Sequence, residues 1–304
     1  MPAKILPPPL KPGDLLRVIA PSGALREFEA FERGIEIWRS RGYRVQITPQ
    51  VDDKWGYLAS KDETRRHQLA AAWQDPDCRG ILCTRGGFGS TRILEDWNWS
   101  NSGLPKWLIG FSDITALLWS LYTAGISGVH GPVMTTLADE PDWSIERLFD
   151  SVEGRPLAPI KGCGWGGGVV NGTLLPGNLT VATHLLGTPI LPHLDGVILA
   201  LEDITEAPYR IDRMLTQWRL SGALSQVCGI ALGGFTRCEA PPTVPSFSVE
   251  EVLRDRLGDL GIPIVSDLPF GHDSPNAALP VGIEVILDGD AGILAMPSLA
   301  SYAP

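Results

Sequence analysis

Along the first half of the chain, short apolar runs alternate with segments whose apolar residues recur every three or four positions. Leu15–Ala20 is such a run, and it ends at Pro21-Ser22-Gly23, which reads as a strand entering a turn. Phe28, Phe31, Ile35 and Trp38 then recur at helical spacing, with Gly42 as a stop signal. Tyr43–Thr48 alternates like a strand. Ser60 and Glu63 have the spacing of a capping box, which predicts a helix through about Gln74. Gly80–Thr84 reads as a strand running into Arg85-Gly86-Gly87-Phe88-Gly89. A short helix is expected near Thr91–Trp97, a strand at Trp107–Ile109 and a helix over Ile114–Thr123. Strands spaced by helices predict parallel βαβ units and an α/β layered fold, whose ligands bind at the carboxyl ends of the strands.

Around Gly154–Gly168 the pattern breaks into a Gly- and Pro-rich stretch, GRPLAPIKGCGWGGG, with little periodicity. It reads as a linker. The expected domains are therefore 1–153, a linker at 154–168, and 169–304. In the second half, helices are predicted at Asn178–Leu186, Arg210–Ser221 and Val249–Leu257. Strands are predicted at Gly196–Leu201, Val227–Leu232 and Pro263–Val265. Glu284–Leu287 and Gly292–Ala295 read as two antiparallel strands, and Pro241–Pro245 as a surface loop. No internal repeat stands out.

Composition narrows the function classes. The 304 residues are 44% apolar and 20% charged, as in an ordinary globular protein. A net charge of −10 argues against nucleic acid and against anionic membrane surfaces as partners. The N-terminal stretch has prolines and no apolar core of signal-peptide length, and no run approaches a membrane span. The cysteines Cys78, Cys83, Cys163, Cys228 and Cys238 are odd in number and lack CxxC spacing, as expected of reduced thiols in a cytoplasmic protein. No histidine pair stands at i,i+4 and no HExxH is present, so no metal or other cofactor is expected.

The stretch GFSDIT, residues 110–115, puts a serine and an aspartate at a strand-to-helix turn. Ser112 and Asp113 can simply cap the helix. Alternatively, Ser112 is a nucleophile on an elbow, although Thr115 departs from G-x-S-x-G. A nucleophilic serine needs a base. His67 lies in a charged helix, His184 in an apolar one and His193 in a loop. His272, in PFGHD after a buried-type strand, is the favoured base, and His130 is second. Glu202 ends the apolar run GVILAL. It either caps the next helix with Asp203 or orients the base. Arg85-Gly-Gly-Phe-Gly89 lacks the Lys of a P-loop, but its glycines suit an oxyanion wall. Arg85 either pairs with a substrate carboxylate or makes a surface salt bridge. Trp38, Trp73 and Trp119 fit helical core positions, while Trp55 and Trp165 fall in loop-like stretches that suit a cleft lining.

Taken together, the stretches GYLASKDETRRHQLAAAWQDPDCRGILCTRGGFGSTRIL, GFSDITALLWSLYTAGISGVHGPV, PGNLT, LALEDITEAPYRIDRML and LPFGHDSPNAALPVG resemble the LD-carboxypeptidases, cytoplasmic serine peptidases that trim murein tetrapeptides. The resemblance spans about residues 13–290, with separated motifs in the same order. It implies two α/β domains with a cleft between them: an N-terminal parallel-sheet domain, Rossmann- or flavodoxin-like, and a C-terminal domain with a mixed sheet. It implies Ser112 as nucleophile, Glu202 as acid and His272 as base. The N–H of Asp113 and one near Gly86 or Gly87 would form the oxyanion hole. It further implies a homodimer and a murein tetrapeptide cut at the L,D bond before its terminal D-Ala. Where the family's common form has a His in the helix after the serine, this chain has Leu118. The stretches 162–168 and 238–245 match nothing in the family's pattern. Two rivals remain. One is an amidase acting on a peptidyl-nucleotide antibiotic, as in the related microcin C immunity peptidases. The other is a two-domain small-peptide binding protein without turnover.

Overall fold

The computed structural model describes residues 5–49, 51–99, 104–273 and 275–296, and divides into two compact units. One holds the chain through Pro156 together with Ala277–Gly282. The other holds Leu157–Asn276 and, of the described residues after Gly282, 283–296. Residues 1–4 and 297–304, the outer ends of the two expected domains, lie outside the described residues.

The first unit runs β1 (Leu15–Ile19), α1 (Phe28–Ser40), β2 (Arg44–Ile47), α2 (Asp62–Gln74), β3 (Cys78–Cys83), α3 (Ser90–Ile93), β4 (Trp107–Gly110), α4 (Thr115–Thr123), β5 (Val129–His130) and α5 (Asp142–Glu153). The five strands are parallel in the order β2-β1-β3-β4-β5. This is the flavodoxin-like order, whose direction reverses between β1 and β3. The loops at the carboxyl ends of β1, β3 and β4 are Pro21–Gly23, Arg85–Gly89 and Phe111–Asp113. The central strand β4 is buried throughout, as a parallel strand covered on both faces requires. The edge strand β2 alternates exposed and half-buried positions.

Helix α1 buries Phe31, Ile35 and Trp38 as the spacing predicts, but Phe28 is exposed. Trp73 and Trp119 are core residues too. The Ser60–Glu63 capping box does not form. Helix α2 starts at Asp62 with Lys61 at its N-cap and no capping side chain. Asp62 is instead bonded by Arg65 and Arg92, and the Ser60 carbonyl accepts from Arg65 Nε at 3.1 Å. The helix expected at Thr91–Trp97 is a single turn, Ser90–Ile93.

The other end of α2 is closed by Lys106, which is 1% exposed. Its ammonium donates to the carbonyls of Ala72 (3.2 Å), Trp73 (2.5 Å) and Asp75. A cation at a helix C-terminus satisfies carbonyls that lack intrahelical partners and matches the helix dipole. Lys106→Met keeps the apolar stem and removes the donors. It should destabilise the protein by about 3 kcal/mol, because charge-assisted bonds are lost and carbonyls are left buried. Thermal or urea unfolding of the two proteins checks this.

The second unit runs β6 (Ile160–Lys161), β7 (Cys163–Gly164), β8 (Val169–Asn178), α6 (Leu179–Leu185), β9 (Val197–Ile204), α7 (Pro208–Leu220), β10 (Gly229–Thr236), α8 (Val249–Leu257) and β11 (Ile264–Ser266). Strand β12 (Leu279–Pro280) belongs to the first unit, where it pairs antiparallel with β5. β13 (Glu284–Asp288) and β14 (Ile293–Ala295) complete the second unit's eight-stranded sheet, in the order β6-β14-β13-β8-β9-β10-β11-β7. Its centre, β8 to β11, is parallel and its flanks are antiparallel, so the sheet is mixed. Where a Gly/Pro linker is expected over 154–168, the chain makes β6 and β7, the two outermost strands of this sheet. Two-residue strands carry no periodicity for a sequence pattern to reveal.

Among the described residues, no helix is long and apolar enough to cross a membrane. All five cysteines are free; Cys78, Cys83 and Cys238 are buried, and Cys163 is exposed.

Candidate active site

In the first unit, Phe111 joins β4 to Ser112, which has φ +63°, a left-handed backbone that non-glycine residues rarely adopt. Residues 112–114 make one 3₁₀ turn and α4 follows. A sharp turn of this kind lifts one side chain out of the core: Ser112 is half-buried while Phe111, Asp113 and Ile114 are buried. Gly110 permits the turn, since a Cβ there would come within 3.0 Å of Ile114's side chain. Phe111 and Ile114 hold the N-cap positions of the 3₁₀ turn and of α4, and neither supplies a capping side chain. Strain held at one residue is characteristic of functional sites.

The glycine loop after β3 lies against this elbow. A Cβ on Gly86 would stand 2.9 Å from Ser112 Oγ, 2.8 Å from its Cβ and 3.6 Å from the Asp113 nitrogen. Only glycine leaves that space open beside the hydroxyl. Gly87 and Gly89 have φ of +115° and +126°. Arg85 is held by the Ala24 carbonyl at 3.2 Å and by Glu27 at 3.3 Å.

In the second unit, Glu202 is fully buried on β9, in register with Asn178 on β8. The strand continues to Ile204 instead of ending at Leu201, so Glu202 and Asp203 are strand residues and not helix caps. Asn178 Nδ2 donates to Glu202 Oε1 at 3.3 Å and to Asp203 Oδ1 at 3.1 Å. His272 Nδ1–H donates to Glu202 Oε2 at 2.6 Å. A carboxylate on Nδ1 fixes the tautomer, which leaves Nε2 as the basic nitrogen and stabilises the imidazolium. Gly271, with φ +131°, sets this imidazole beside β9: a Cβ there would be 3.3 Å from Glu202 Cβ and from the Gly234 nitrogen. The Phe270 carbonyl accepts from the Gly234 N–H at 2.8 Å, tying the His272 loop to β10.

His130 stands beside the serine elbow, in register with Gly110 of β4. His130 is buried in β5 with its ring edge-on to Phe111. His67 and His193 are exposed. His184 is exposed as well: α6 turns it outward, and its Nδ1 meets the Thr180 carbonyl at 2.7 Å. Trp55 is exposed. Trp165 is half-buried, bonded through Nε1 to Ser266 Oγ at 3.0 Å and covered by Arg254 at 4.4 Å from its ring centre.

Asp203 is a second buried carboxyl beside Glu202. It accepts from Thr180 N and Oγ1, each at 2.8 Å, and from Ile204 N at 2.7 Å. Burial outweighs these bonds and pushes its pKa up to about 6. The folded chain therefore holds this proton at pH values where the unfolded chain has lost it. Its contribution to stability is present below pH 4 and lost as pH rises through about 6. From pH 4 to pH 6.5, wild type should lose about 2–3 kcal/mol relative to Asp203→Asn, which has no proton to lose. Urea titrations of both proteins at the two pH values measure this.

Asn178 and Asp203, which link the Glu202–His272 pair to the start of α6, are not apparent in the sequence as site residues. Their only sign is position, in PGNLT and directly after Glu202.

Comparison with known proteins agrees with this architecture. The LD-carboxypeptidase N-terminal domain model matches residues 16–131 and the C-terminal domain model matches residues 171–287. A Synechocystis sp. protein provisionally named a carboxypeptidase is 59% identical over 97% of this chain and 98% of its own. The murein tetrapeptide carboxypeptidase of Pseudomonas aeruginosa is 34% identical over 90% of this chain and 92% of its own. The crystal structure of muramoyltetrapeptide carboxypeptidase from Oxalobacter formigenes superposes with a TM-score of 0.82 at 32% identity, covering 92% of this chain and 97% of that one. With both domain models matched, and with relatives of this similarity over nearly its whole length, the chain belongs to the LD-carboxypeptidase family of peptidases.

Proposed function

We propose that the protein is a serine LD-carboxypeptidase that removes the terminal D-Ala of a murein tetrapeptide. Ser112 is the nucleophile, His272 the general base and acid, and Glu202 the carboxylate that orients it. His272 Nε2 takes the Ser112 proton as Oγ attacks the carbonyl carbon of the diamino acid. The N–H groups of Asp113 and of Gly86 or Gly87 receive the charge that develops on the carbonyl oxygen. His272 then protonates the nitrogen of D-Ala, which leaves, and the tripeptide remains as an ester on Ser112. His272 next deprotonates a water molecule, whose attack frees the tripeptide and restores the serine. Glu202 stabilises the imidazolium in both halves.

The observation that carries this reading is the left-handed backbone of Ser112 at the carboxyl end of β4, with Gly86 packed against its hydroxyl. The family membership and the murein peptidases among the relatives support a murein peptide as substrate. Arg85 is proposed to receive the substrate's terminal carboxylate. Its present partner Glu27 is 45% exposed, and such a pair is weak enough for a substrate carboxylate to displace.

The test is a substrate panel: L-Ala-γ-D-Glu-meso-diaminopimelate-D-Ala, the same peptide ending in L-Ala, and a pentapeptide ending in D-Ala-D-Ala. Release of D-Ala from the first alone is expected. Release of L-Ala from the second would make the protein an ordinary carboxypeptidase. No cleavage of any, with cleavage of an aminoacyl-sulfamoyl nucleoside, would replace this reading by the nucleotide amidase.

A further inference from the structure

Three loops of the first unit meet at the elbow, and two buried side chains of opposite charge hold them. Asp113 is 3% exposed. Its Oδ2 accepts the Ser22 hydroxyl at 2.5 Å, from the loop after β1, and the Ser90 N–H at 2.8 Å, from the end of the glycine loop. The Ser90 hydroxyl returns a bond to the Asp113 carbonyl at 2.5 Å. Ser22 and Ser90 are both fully buried. Arg65, also fully buried, grips the neighbouring residues from the acceptor side. Its Nη1 donates to the Gly89 carbonyl at 2.7 Å and to the Pro21 carbonyl. Thus residues 21–22 and 89–90 are held twice, by their carbonyls on Arg65 and by their donors on Asp113. Gly89 permits this approach, since a Cβ there would lie 2.9 Å from Arg65 Nη1.

This geometry has a consequence for Ser112. Asp113 is the next residue in the chain, and the clasped glycine loop places Gly86 against the Ser112 hydroxyl. The carboxylate therefore fixes both the residue that follows the elbow and the wall that faces it. We propose that the Asp113 side chain is a positioning residue, which sets the glycine-loop N–H groups against the carbonyl oxygen that Ser112 attacks. This role rests on Ser112 being the nucleophile and is separate from the part assigned to the Asp113 backbone N–H. Both of its hydrogen bonds converge on one oxygen, Oδ2. An asparagine can present its carbonyl oxygen there and keep both, whereas an alanine loses both.

The test is the rate at which a fluorophosphonate labels Ser112, with Oγ displacing fluoride at phosphorus and giving up its proton. This reaction uses the same oxyanion contacts and requires no murein peptide. Asp113→Ala should label about 10²-fold more slowly than wild type at full amplitude, the scale of a misplacement of about 1 Å. Asp113→Asn should recover about tenfold of that loss. Ser22→Ala, which removes one bond, should slow labelling about fivefold, the equivalent of one ordinary hydrogen bond. A merely structural role would lower the amplitude, through loss of folded protein, and leave the rate constant alone. Equal rate constants for wild type, Asp113→Ala and Ser22→Ala would overturn the clasp. If Asp113→Ala does not fold, Ser22→Ala and Asp113→Asn decide. Labelling of wild-type Ser112 without D-Ala release in the peptide panel would remove the murein substrate and leave the clasp standing. A wild type that is not labelled at Ser112 would overturn the serine mechanism, and the clasp with it.

Discussion

Ser112→Ala protein should bind the murein tetrapeptide about as wild type does and release D-Ala about 10⁴–10⁶-fold more slowly. In the proposed mechanism, alanine removes the atom that forms the acyl bond and leaves the rest of the binding surface unchanged. The loss therefore falls on kcat, with the tetrapeptide dissociation constant within about twofold, since the substitution removes an interaction made only in the transition state. The folded state should gain nothing, because alanine keeps the Cβ that makes the left-handed backbone at φ +63° costly. Turnover assays and calorimetric binding on the same preparation separate these effects. Undiminished D-Ala release by the variant would exclude Ser112 as the nucleophile.

Glu202→Gln should cost about 10²–10⁴-fold in kcat, at least as much as Glu202→Ala. The reason lies in Asn178. Its Nδ2 donates to Glu202 Oε1, so a glutamine would keep its carbonyl oxygen on that side and turn its amide NH₂ toward His272 Nδ1. The imidazole would then carry its proton on Nε2 and could not accept one from Ser112. Alanine removes the orienting group without imposing the wrong tautomer. Kinetics of the two variants at one pH give the order directly. A glutamine variant near wild-type activity would mean that Glu202 neither sets the tautomer nor carries a needed charge.

How far the sequence reveals this molecule depends on where each residue's partners lie. Helix α8 is found at Val249–Leu257 from its spacing alone, and the core tryptophans Trp38, Trp73 and Trp119 follow from theirs. Ser112 is legible because a glycine, a serine and a helix stand next to each other in the chain. Glu202 is only half legible. Two carboxylates after an apolar run look like a helix cap, and what keeps them in a buried strand is Asn178, 24 positions away. Arg65 and Lys106 are not legible at all. Charged residues belong outside on pattern grounds, and these two are buried because backbone carbonyls distant in the sequence receive them. The return of Leu279–Pro280 to the first unit's sheet is hidden for the same reason, since two residues paired with β5 leave no local pattern.

The most direct measurement is to trap the acyl-enzyme. A tetrapeptide analogue ending in D-lactate in place of D-Ala acylates through an easier leaving group, so the covalent intermediate accumulates. After mixing with wild-type protein, acid quenching and peptide mapping, the tripeptide acyl group should sit on the peptide that contains Ser112, with one D-lactate released rapidly per chain. Turnover with no covalent adduct, or an adduct on any other residue, would contradict the mechanism.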